Sequence, residues 1–361
     1  MLVAVFECHS FTHAVLSGVL VVALVLSSLH MVDGLPKCGC CAFCYKHCTS
    51  DALMTCSGCK KRKYCSSECQ RKDWSDDPSA RGQRHKVMCG LACGEEGDDW
   101  EVRYLNETKG YGLVALREFS RGQRILAERA IDRKVVLNSL TPAEKVAMDD
   151  LMPKGGSLLD KLDTNALSTT EGTGGAICVR LVRANHACVP NACHYDEYKG
   201  IKLLVARTTI KAGEEITISY ILWYNMQNEC DATVLRDRLS KRDIHCSPSC
   251  ECRDPALISK LAEVQELYKE LKPKVTFVCG GKPVPRGKLD RLGSLVEELE
   301  LSHVNVSAVC YAAHAEYLCR GDILNAAKFV QKSLDMNVEI YGPNSESAQY
   351  DREVLIETTA M

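Results

Sequence analysis

Residues 185–191 read Asn-His-Ala-Cys-Val-Pro-Asn, and this heptapeptide is the part of the chain around which the other motifs are arranged. Its proline fixes its own φ angle and favours an extended conformation in the preceding residue, so a sharp bend is predicted. The bend would present Asn185 and His186 to a polar ligand, and Cys188 offers a thiolate to a metal. Taken alone, the heptapeptide is equally consistent with an ordinary surface turn.

Two glycine-containing motifs flank the heptapeptide. They are Lys109-Gly110-Tyr111-Gly112 before it and Gly213-Glu214-Glu215-Ile216-Thr217-Ile218-Ser219-Tyr220 after it. Two glycines one residue apart allow a backbone to approach a ligand closely, although a hairpin bend would use them too. The first motif lacks the third glycine and the βαβ unit of a dinucleotide-binding fingerprint, and it lacks the Lys-Ser/Thr pair of a P-loop.

The composition is that of a globular protein with one anomaly. The chain has 361 residues, 46% hydrophobic and 25% charged, with a formal net charge of -2. The length predicts two or three domains, and the charge does not favour binding of the whole protein to nucleic acid or a membrane surface. The anomaly is the 22 cysteines. Their grouping in Cys-x-x-Cys units indicates zinc and a reducing compartment, so we expect the protein in the cytoplasm, the nucleus or both.

The N-terminus favours a different location. Residues 14–29 are almost wholly apolar, a length that suits the core of a signal peptide and is short for a membrane span. Residues 1–13 contain no Lys or Arg, so the basic region that usually precedes such a core is missing. A targeting peptide, a signal anchor and an extension from a mistaken start site stay open, and the alternative location is membrane-anchored or secretory.

The segment 38–93 contains four pairs of potential metal ligands, which are Cys41 and Cys44, Cys56 and Cys59, Cys65 and Cys69, and His85 and Cys89. Zinc takes four sulfur or nitrogen ligands in a tetrahedron, so eight ligands predict two zinc ions, with a disulfide cluster as the alternative. The run Lys60-Lys61-Arg62-Lys63 makes the segment basic. This run indicates contact with nucleic acid or an acidic partner, or else a solvated loop that offsets thiolate charge.

The pattern of apolar residues predicts the elements of the central region. Strands are expected over residues 112–117, 124–130, 192–198, 201–206 and 215–220. A helix is expected over residues 141–152, with a threonine cap and a proline in its first position. Residues 155–175 are expected to form loops, and residues 176–183 a helix that runs into the heptapeptide.

Three cysteines follow the second glycine-containing motif, at Cys246, Cys250 and Cys252. Three ligands cannot complete a tetrahedral zinc site, so Cys188 is a candidate for the fourth, with free thiols as the alternative. Helices are then expected over residues 257–271 with Pro273 as the stop, and over 289–299, 309–320 and 323–341. The last two form a hairpin rich in small residues, similar to one tetratricopeptide (TPR) unit, which must pack on the preceding domain.

The order of these motifs resembles a known family. The glycine pair, the heptapeptide, the strand motif and the cysteine cluster are together similar to a SET domain, and the N-terminal ligand pairs resemble a MYND zinc finger. With the helical tail, residues 41–341 resemble the SET-and-MYND (SMYD-type) protein lysine methyltransferases. The implied fold class is α+β, with SET-type short sheets, a helical insert, an N-terminal finger and C-terminal TPR-like helices. The corresponding domains are an apolar segment 1–37, the finger 38–93, the SET domain 100–225, a post-SET cysteine cluster 226–256 and a helical region 257–361.

The resemblance also implies cofactors and site residues. The cofactors are S-adenosylmethionine and zinc, and Tyr220 matches the catalytic tyrosine. The residues expected to contact S-adenosylmethionine are Lys109, Gly110, Tyr111, Gly112, Asn165, Asn185, His186, Tyr220 and Ile244. The family's interleaved pattern puts Cys41, Cys44, Cys65 and Cys69 on one zinc and Cys56, Cys59, His85 and Cys89 on a second, while Cys188, Cys246, Cys250 and Cys252 match its third site.

Three features depart from the family pattern. Ile244 is aliphatic where the family has an aromatic residue against adenine, and the downstream cysteines do not have the usual Cys-x-Cys-x-x-Cys spacing. The finger lies wholly upstream of Gly110, whereas in the family it interrupts the SET domain. The family's placement of the finger over the substrate groove therefore does not transfer.

The implied function is transfer of methyl groups to a lysine side chain of a protein, histone or not, by in-line displacement. A non-catalytic adaptor that binds protein partners or DNA is the alternative, and a secreted or membrane-tethered cysteine-rich protein is a third hypothesis. We expect a monomer whose partners are a protein substrate and proteins bound by the finger or the helical tail, with nucleic acid left open.

Overall fold

The computed structural model describes residues 38–75, 85–91, 93–149, 151, 153, 155–167, 175–197, 200–221, 232–275 and 286–361. Residues Cys38–Met361 form one compact unit. The apolar segment 14–29, like the whole of the proposed domain 1–37, lies outside the described residues. Within the described ranges, no helix combines the length and the apolar character needed to cross a bilayer.

The N-terminal region consists of two short hairpins and two helices. The strands are β1 (Cys38–Cys40), β2 (His47–Thr49), β3 (Met54–Thr55) and β4 (Lys63–Tyr64), and the helices are α1 (Ser67–Trp74) and α2 (His85–Met88). Ser66 caps α1 by accepting a hydrogen bond from the Cys69 N–H at 3.1 Å. Buried Asp73 accepts from Arg62 Nε at 2.8 Å and from the Tyr64 hydroxyl at 2.7 Å, so α1 is tied to the second hairpin.

The central region contains three sheets. Their strands are β5 (Trp100–Asn106), β6 (Gly110–Ala115), β7 (Arg124–Arg129), β8 (Ile131–Asp132), β9 (Ala176–Ile177), β10 (Asn185–His186), β11 (Ala192–Glu197), β12 (Ile201–Ala206) and β13 (Glu215–Ile218). The strand orders are β10-β13-β6-β5, β11-β12-β7 and β8-β9. Each of the strands predicted from the sequence is present, with ends close to those predicted.

Among the described residues, three helices lie between β8 and the heptapeptide, and one of them contradicts a prediction. They are α3 (Arg133–Asn138), α4 (Pro142–Asp149) and α5 (Leu158–Asn165). The prediction of loops over residues 155–175 is wrong at α5, because Ser157 and Asp160 form a capping box at its start. The Asp160 N–H donates to Ser157 Oγ at 3.2 Å, and the Ser157 N–H donates to Asp160 Oδ2 at 2.8 Å. A serine followed three residues later by an acid is a helix signal, here hidden among glycines that favour loops.

The prediction of a helix over residues 176–183 is also wrong. The segment contains β9 and a short 3-10 helix, Leu181–Arg183. The buried carboxylate of Glu128 accepts hydrogen bonds from the backbone N–H groups of Arg180 and Leu181, both at 3.0 Å. A side chain of β7 therefore takes the donors that an α-helix would direct at its own carbonyls.

The C-terminal region is helical. Its helices are α6 (Ala232–Ser240), α7 (Pro255–Val275), α8 (Arg286–Glu298), α9 (His303–Cys319), α10 (Ile323–Tyr341) and α11 (Glu346–Thr359). The predicted stop at Pro273 is wrong, because a proline in the last turn removes only one intrahelical hydrogen bond. Helix α9 begins earlier than predicted, and α11 was not predicted. The TPR-like character of the α9–α10 hairpin stays a prediction.

Strand β12 connects the central sheets to these helices. Alternate side chains of a strand point to opposite faces. Leu204 and Ala206 pack in a core cluster with residues of β5, β6 and β13. Ile201, Leu203 and Val205 pack in a second cluster with α2 and the end of α10. All six residues of β12 are buried, so the helical region covers one face of this sheet.

Three arginines of the central region donate to backbone carbonyls at or just beyond the C-terminal ends of α8 and α10. The bonds, 2.6 to 3.2 Å long, run from Arg121 to Leu301, from Arg124 to Glu339 and Ile340, and from Arg207 to Leu299 and Glu300. Carbonyls at a helix C-terminus carry partial negative charge, which favours cationic donors. These contacts fix the helical region against the sheets.

Candidate active site and metal centres

The heptapeptide meets both glycine-containing motifs in one sheet. Strand β13 pairs in parallel with β10, with Asn185 opposite Thr217, and antiparallel with β6. The Ala187 N–H continues this pairing by donating to Ile218 O at 3.0 Å. Three motifs that are far apart in the sequence therefore lie side by side.

Asn191 holds the bend of the heptapeptide against β13. Its Nδ2 donates to Glu215 O at 2.8 Å, and its Oδ1 accepts from the Thr217 N–H at 2.8 Å. Because a carbonyl can only accept and an N–H can only donate, these partners determine which way the amide points. The turn predicted here is thus fixed by a side chain as well as by proline.

Asn185 and Lys109 both donate to the carboxylate of Glu215, and Asn185 also donates to the glycine motif. Asn185 Nδ2 lies 3.2 Å from Tyr111 O and 2.9 Å from Glu215 Oε1. Glu215 Oε2 accepts from Lys109 Nζ at 2.5 Å. Glu215 was not among the predicted site residues, and its only signal is its place in the second glycine-containing motif. The structure therefore brings three of the predicted cofactor residues together around an acid that the sequence interpretation missed.

The two glycines of the first motif have different roles. Gly110 has a φ of 66°, a conformation that side chains disfavour. A Cβ at Gly112 would lie 2.6 Å from Leu105 Cδ1, 2.8 Å from Asn185 Nδ2 and 3.2 Å from Glu215 Oε1. Glycine at this position therefore leaves room for these three side chains.

Both ring nitrogens of His186 are engaged within the protein. Nδ1 lies 3.1 Å from the backbone N of Tyr220, and Nε2 lies 3.3 Å from Cys188 Sγ. Because a backbone N–H only donates, Nδ1 is the acceptor and Nε2 carries the proton towards sulfur. Burial lowers the pKa of His186 to about 4, which keeps the ring neutral. The ring is therefore committed to contacts within the protein.

Tyr220 is held by the backbone that precedes the heptapeptide. Its hydroxyl donates to Ala184 O at 3.1 Å. Burial, and then the negative charge of Glu215, raises the pKa of Tyr220 to about 12, against a smaller effect of Arg242. The hydroxyl therefore stays protonated at neutral pH, so it can orient a polar group through its oxygen but does not serve as a base.

The other two predicted cofactor residues lie on neighbouring segments. Asn165 ends α5, and its Nδ2 donates to Lys161 O at 2.8 Å. Ile244 packs against the core cluster of the C-terminal helices. Arg242 Nη1 lies 3.5 Å from Thr164 O and joins the two segments. Ligand contacts by Asn165 and Ile244 stay predictions.

The predicted metal ligands meet in three clusters. In each, the ligand atoms lie within 4.8 Å of one another, and the members are Cys41, Cys44, Cys65 and Cys69; Cys56, Cys59, His85 and Cys89; and Cys188, Cys246, Cys250 and Cys252. A tetrahedral zinc with Zn–S bonds of about 2.3 Å separates its sulfur ligands by roughly 3.8 Å. The observed Sγ–Sγ distances of 3.5 Å for Cys44 and Cys65 and 3.5 Å for Cys188 and Cys246 fit that geometry. The cysteines of all three clusters are not joined in disulfides.

The basic run of the N-terminal region is partly structural. Arg62 is buried against Asp73, and Lys63 Nζ lies 2.6 Å from Asp98 Oδ2. Lys60 and Lys61 are exposed. Two of the four charges are therefore paired with carboxylates, one of them in the interior, which weakens the case for nucleic-acid binding.

Two family models match the chain. The SET domain matches residues 110–221, and the MYND finger matches residues 38–89. The finger therefore precedes the matched SET segment, as the sequence order indicated.

Several curated proteins are similar to the chain. The N-lysine methyltransferase SMYD2-B of Xenopus laevis is 24% identical over 64% of this chain and 54% of its own length. The histone-lysine N-methyltransferase SMYD3 of Mus musculus is 26% identical over 62% of this chain and 54% of its own length. The SET domain-containing protein SmydA-8, isoform A, of Drosophila melanogaster is 31% identical over 36% of this chain and 32% of its own length.

The chain spans about half the length of the first two of these relatives. Among solved structures, the SET domain of LSMT bound to lysine and AdoHcy is 14% identical to this chain, with a TM-score of 0.29 over 76% of this chain and 90% of that one. A SET match and a MYND match in one chain show that it carries a SET domain and a MYND-type finger, and the curated relatives show that it is similar to the SET-and-MYND (SMYD) lysine methyltransferases.

Proposed function

We propose that this protein transfers methyl groups from S-adenosylmethionine to a lysine side chain of a protein substrate. The observation that carries the proposal is the meeting of the glycine motif, Asn185 and Tyr220 on the sheet β10-β13-β6-β5. The names of the curated relatives point to the same reaction.

The residues around this sheet suit the amino-acid part of such a cofactor. Asn185 Oδ1 offers an acceptor to an ammonium group, Lys109 offers a cation to a carboxylate, and the backbone at Gly110 is open to a ligand. Ile244 would supply an apolar surface to adenine, and Asn165 would border it. When bound, the cofactor supplies an electrophilic methyl group.

The chain's own part in the reaction is to orient and desolvate the lysine amine. The amine must arrive neutral, and an apolar site favours that form because burial lowers the pKa of a lysine. Tyr220, protonated and fixed by Ala184 O, would orient the amine through its oxygen. Most of the acceleration would come from holding the reactants in near-attack geometry.

The test compares wild type with Tyr220→Phe in a transfer assay that uses labelled cofactor and a proteome extract. We expect label on protein lysines with wild type and a loss of at least about a hundredfold with the variant, because orientation of the amine is removed. Binding of S-adenosylhomocysteine should be retained. The absence of transfer by wild type, or equal transfer by both proteins, would contradict the proposal.

A non-catalytic adaptor is the second candidate. The aliphatic Ile244 and the finger upstream of the SET segment favour it. Calorimetry separates the two candidates, since an adaptor need not bind S-adenosylmethionine at all and an enzyme should bind it at micromolar concentrations. Protein partners of the finger and the helices belong to both candidates.

The thiol clusters also bear on location. Zinc–thiolate sites are maintained where thiols stay reduced, so we propose a cytoplasmic or nuclear protein. Localisation of the full chain with a C-terminal tag, with and without residues 1–37, tests this against membrane anchoring or secretion.

A further inference from the structure

Glu215 is the centre of the hydrogen-bonded group at the proposed cofactor site. It begins β13, and its side chain is 17% exposed. One carboxylate oxygen accepts from Asn185 Nδ2, and the other accepts from Lys109 Nζ. Both donors belong to motifs that are remote from Glu215 in the sequence.

The partners of Asn185 determine how its amide is oriented. Its Nδ2 faces Tyr111 O and Glu215 Oε1, and both of these atoms can only accept. The amide nitrogen must therefore face them, which turns Oδ1 away. No described residue donates to this Oδ1, so it is an acceptor presented to a ligand.

The negative charge of Glu215 affects two other side chains of the site, Lys109 and Tyr220. It pairs with Lys109, whose side chain is 46% exposed, and so restricts where that ammonium can lie. It also contributes to the raised pKa of Tyr220, after burial. Glu215 is therefore electrostatically connected to both ends of the proposed site.

We propose that Glu215 is a positioning residue of the cofactor site, which orients Asn185 so that its Oδ1 accepts from the ammonium of the cofactor's amino-acid part and which holds Lys109 beside it. The inference rests on the proposed function. It predicts that Glu215 increases the affinity for ligands that carry the amino-acid part and does not change the affinity for ligands that lack it.

The decisive variant is Glu215→Gln, which keeps the size of the side chain. A glutamine amide has one oxygen and one NH2 group, so in either orientation its NH2 faces a donor, Asn185 Nδ2 or Lys109 Nζ. Glu214→Gln is the matched control, because Glu214 is exposed and, among the described residues, its carboxylate accepts a hydrogen bond only from the Lys211 N–H in the preceding turn. It removes the same charge from the adjacent position.

The experiment measures binding of two probes by calorimetry. S-adenosylhomocysteine carries the amino-acid part, and 5′-methylthioadenosine lacks it. We expect Glu215→Gln to bind S-adenosylhomocysteine about tenfold more weakly than wild type does, because one oriented hydrogen bond is lost. The variant should bind 5′-methylthioadenosine with an affinity within about twofold of that of wild type. Glu214→Gln should bind both like wild type. A double-mutant cycle with Asn185→Ala should show that Glu215→Gln has a smaller effect once Asn185 is gone, and the effect that remains measures the contribution made through Lys109.

Three other outcomes would each contradict a statement about the site. Wild-type binding of S-adenosylhomocysteine with no effect of Glu215→Gln would overturn the inference alone. An equal loss for both probes, with a lower unfolding temperature, would mean a purely structural role and would overturn it as well. No binding of S-adenosylhomocysteine by wild type would overturn the proposed function itself.

Discussion

At Gly112 a single methyl group would crowd the side chains that pack against the glycine strand. Alanine there would place a Cβ 2.6 Å from Leu105 Cδ1 and 2.8 Å from Asn185 Nδ2, and its extended backbone does not itself require glycine. Gly213 is the opposite case, because its φ of 87° disfavours a side chain while the space around it is open. Alanine at Gly112 therefore tests the effect of crowding, and alanine at Gly213 tests the effect of backbone strain.

We expect Gly112→Ala to weaken binding of S-adenosylhomocysteine by about tenfold, through displacement of one oriented hydrogen bond. Gly213→Ala should lower the free energy of unfolding by about 1 kcal/mol and leave affinity nearly unchanged. Calorimetry and urea denaturation measure the two quantities. Equal affinity of Gly112→Ala and wild type would show that Asn185 adjusts freely to the methyl group.

His303, at the start of α9, makes stability depend on pH. Burial, and then the charge of Arg121, lowers the pKa of His303 to about 4. The unfolded chain has a histidine pKa of about 6.5 and so binds this proton more tightly than the folded protein. Stability from this residue is therefore complete above pH 6.5 and is lost as the pH falls towards 4.

His303→Gln should remove that part of the pH dependence. Between pH 7.5 and 5.5 we expect wild type to lose about 1 kcal/mol more stability than the variant, as the linkage between proton binding and folding requires. Denaturant titrations at both pH values measure the difference. Parallel pH profiles of the two proteins would mean that His303 does not titrate with unfolding.

At the scale of elements, Arg207 joins the heptapeptide to helix α8. It is buried, and it donates to Pro190 O as well as to the carbonyls that follow α8. The bend at the cofactor site and the helical region are thus held by one guanidinium. The planar guanidinium carries several N–H donors, so it binds several carbonyls at once better than a lysine ammonium does.

Arg207→Met should lower the free energy of unfolding by about 2–4 kcal/mol, because it leaves buried carbonyls without donors. Arg207→Lys should recover part of the loss. Arg103→Met is the control, since exposed Arg103 pairs only within its own strand and a pair of this kind contributes little. Chemical denaturation of the three variants measures the effect, and similar stability of Arg207→Met and Arg103→Met would exclude the proposed link.

At the scale of the whole molecule, the finger and the sheets are joined by Arg180. Its Nη2 lies 3.1 Å from Cys41 O, its Nε lies 3.0 Å from Glu96 Oε2, and its guanidinium lies 4.7 Å from the centre of the Tyr45 ring. The first ligand cluster is therefore anchored to the central region. The third cluster contacts the site directly, through Cys188 and His186.

We expect about three zinc ions per chain by elemental analysis, one for each ligand cluster. Cys188→Ser and Cys59→Ser should each lose about one zinc. Only Cys188→Ser should also weaken binding of S-adenosylhomocysteine, by about tenfold or more, because His186 loses its sulfur contact and the bend loses its anchor. Unchanged affinity of Cys188→Ser would show that the heptapeptide holds its shape without the metal.

The sequence by itself determined what depends on local spacing. The ligand pairs such as Cys41 and Cys44 were predictable from their spacing, because zinc takes four such ligands, whereas their interleaving was implied only by the resemblance to the family. The strands were predictable from alternating apolar residues. The glycine pair and Tyr220 were found through resemblance to the family. Their roles as ligand contacts stay proposals.

Only the tertiary structure decided the contacts between remote segments. The parallel pairing of β10 with β13 sets Glu215 against Asn185, and no local pattern specifies that register. The carboxylate of Glu128 turns residues 176–183 away from a helix by taking its backbone donors, which overrides the local apolar period. The residues of the heptapeptide predicted a bend. The atoms that the bend presents to a ligand depend on partners that are remote in the sequence, because each buried donor needs an acceptor and the tertiary structure supplies it.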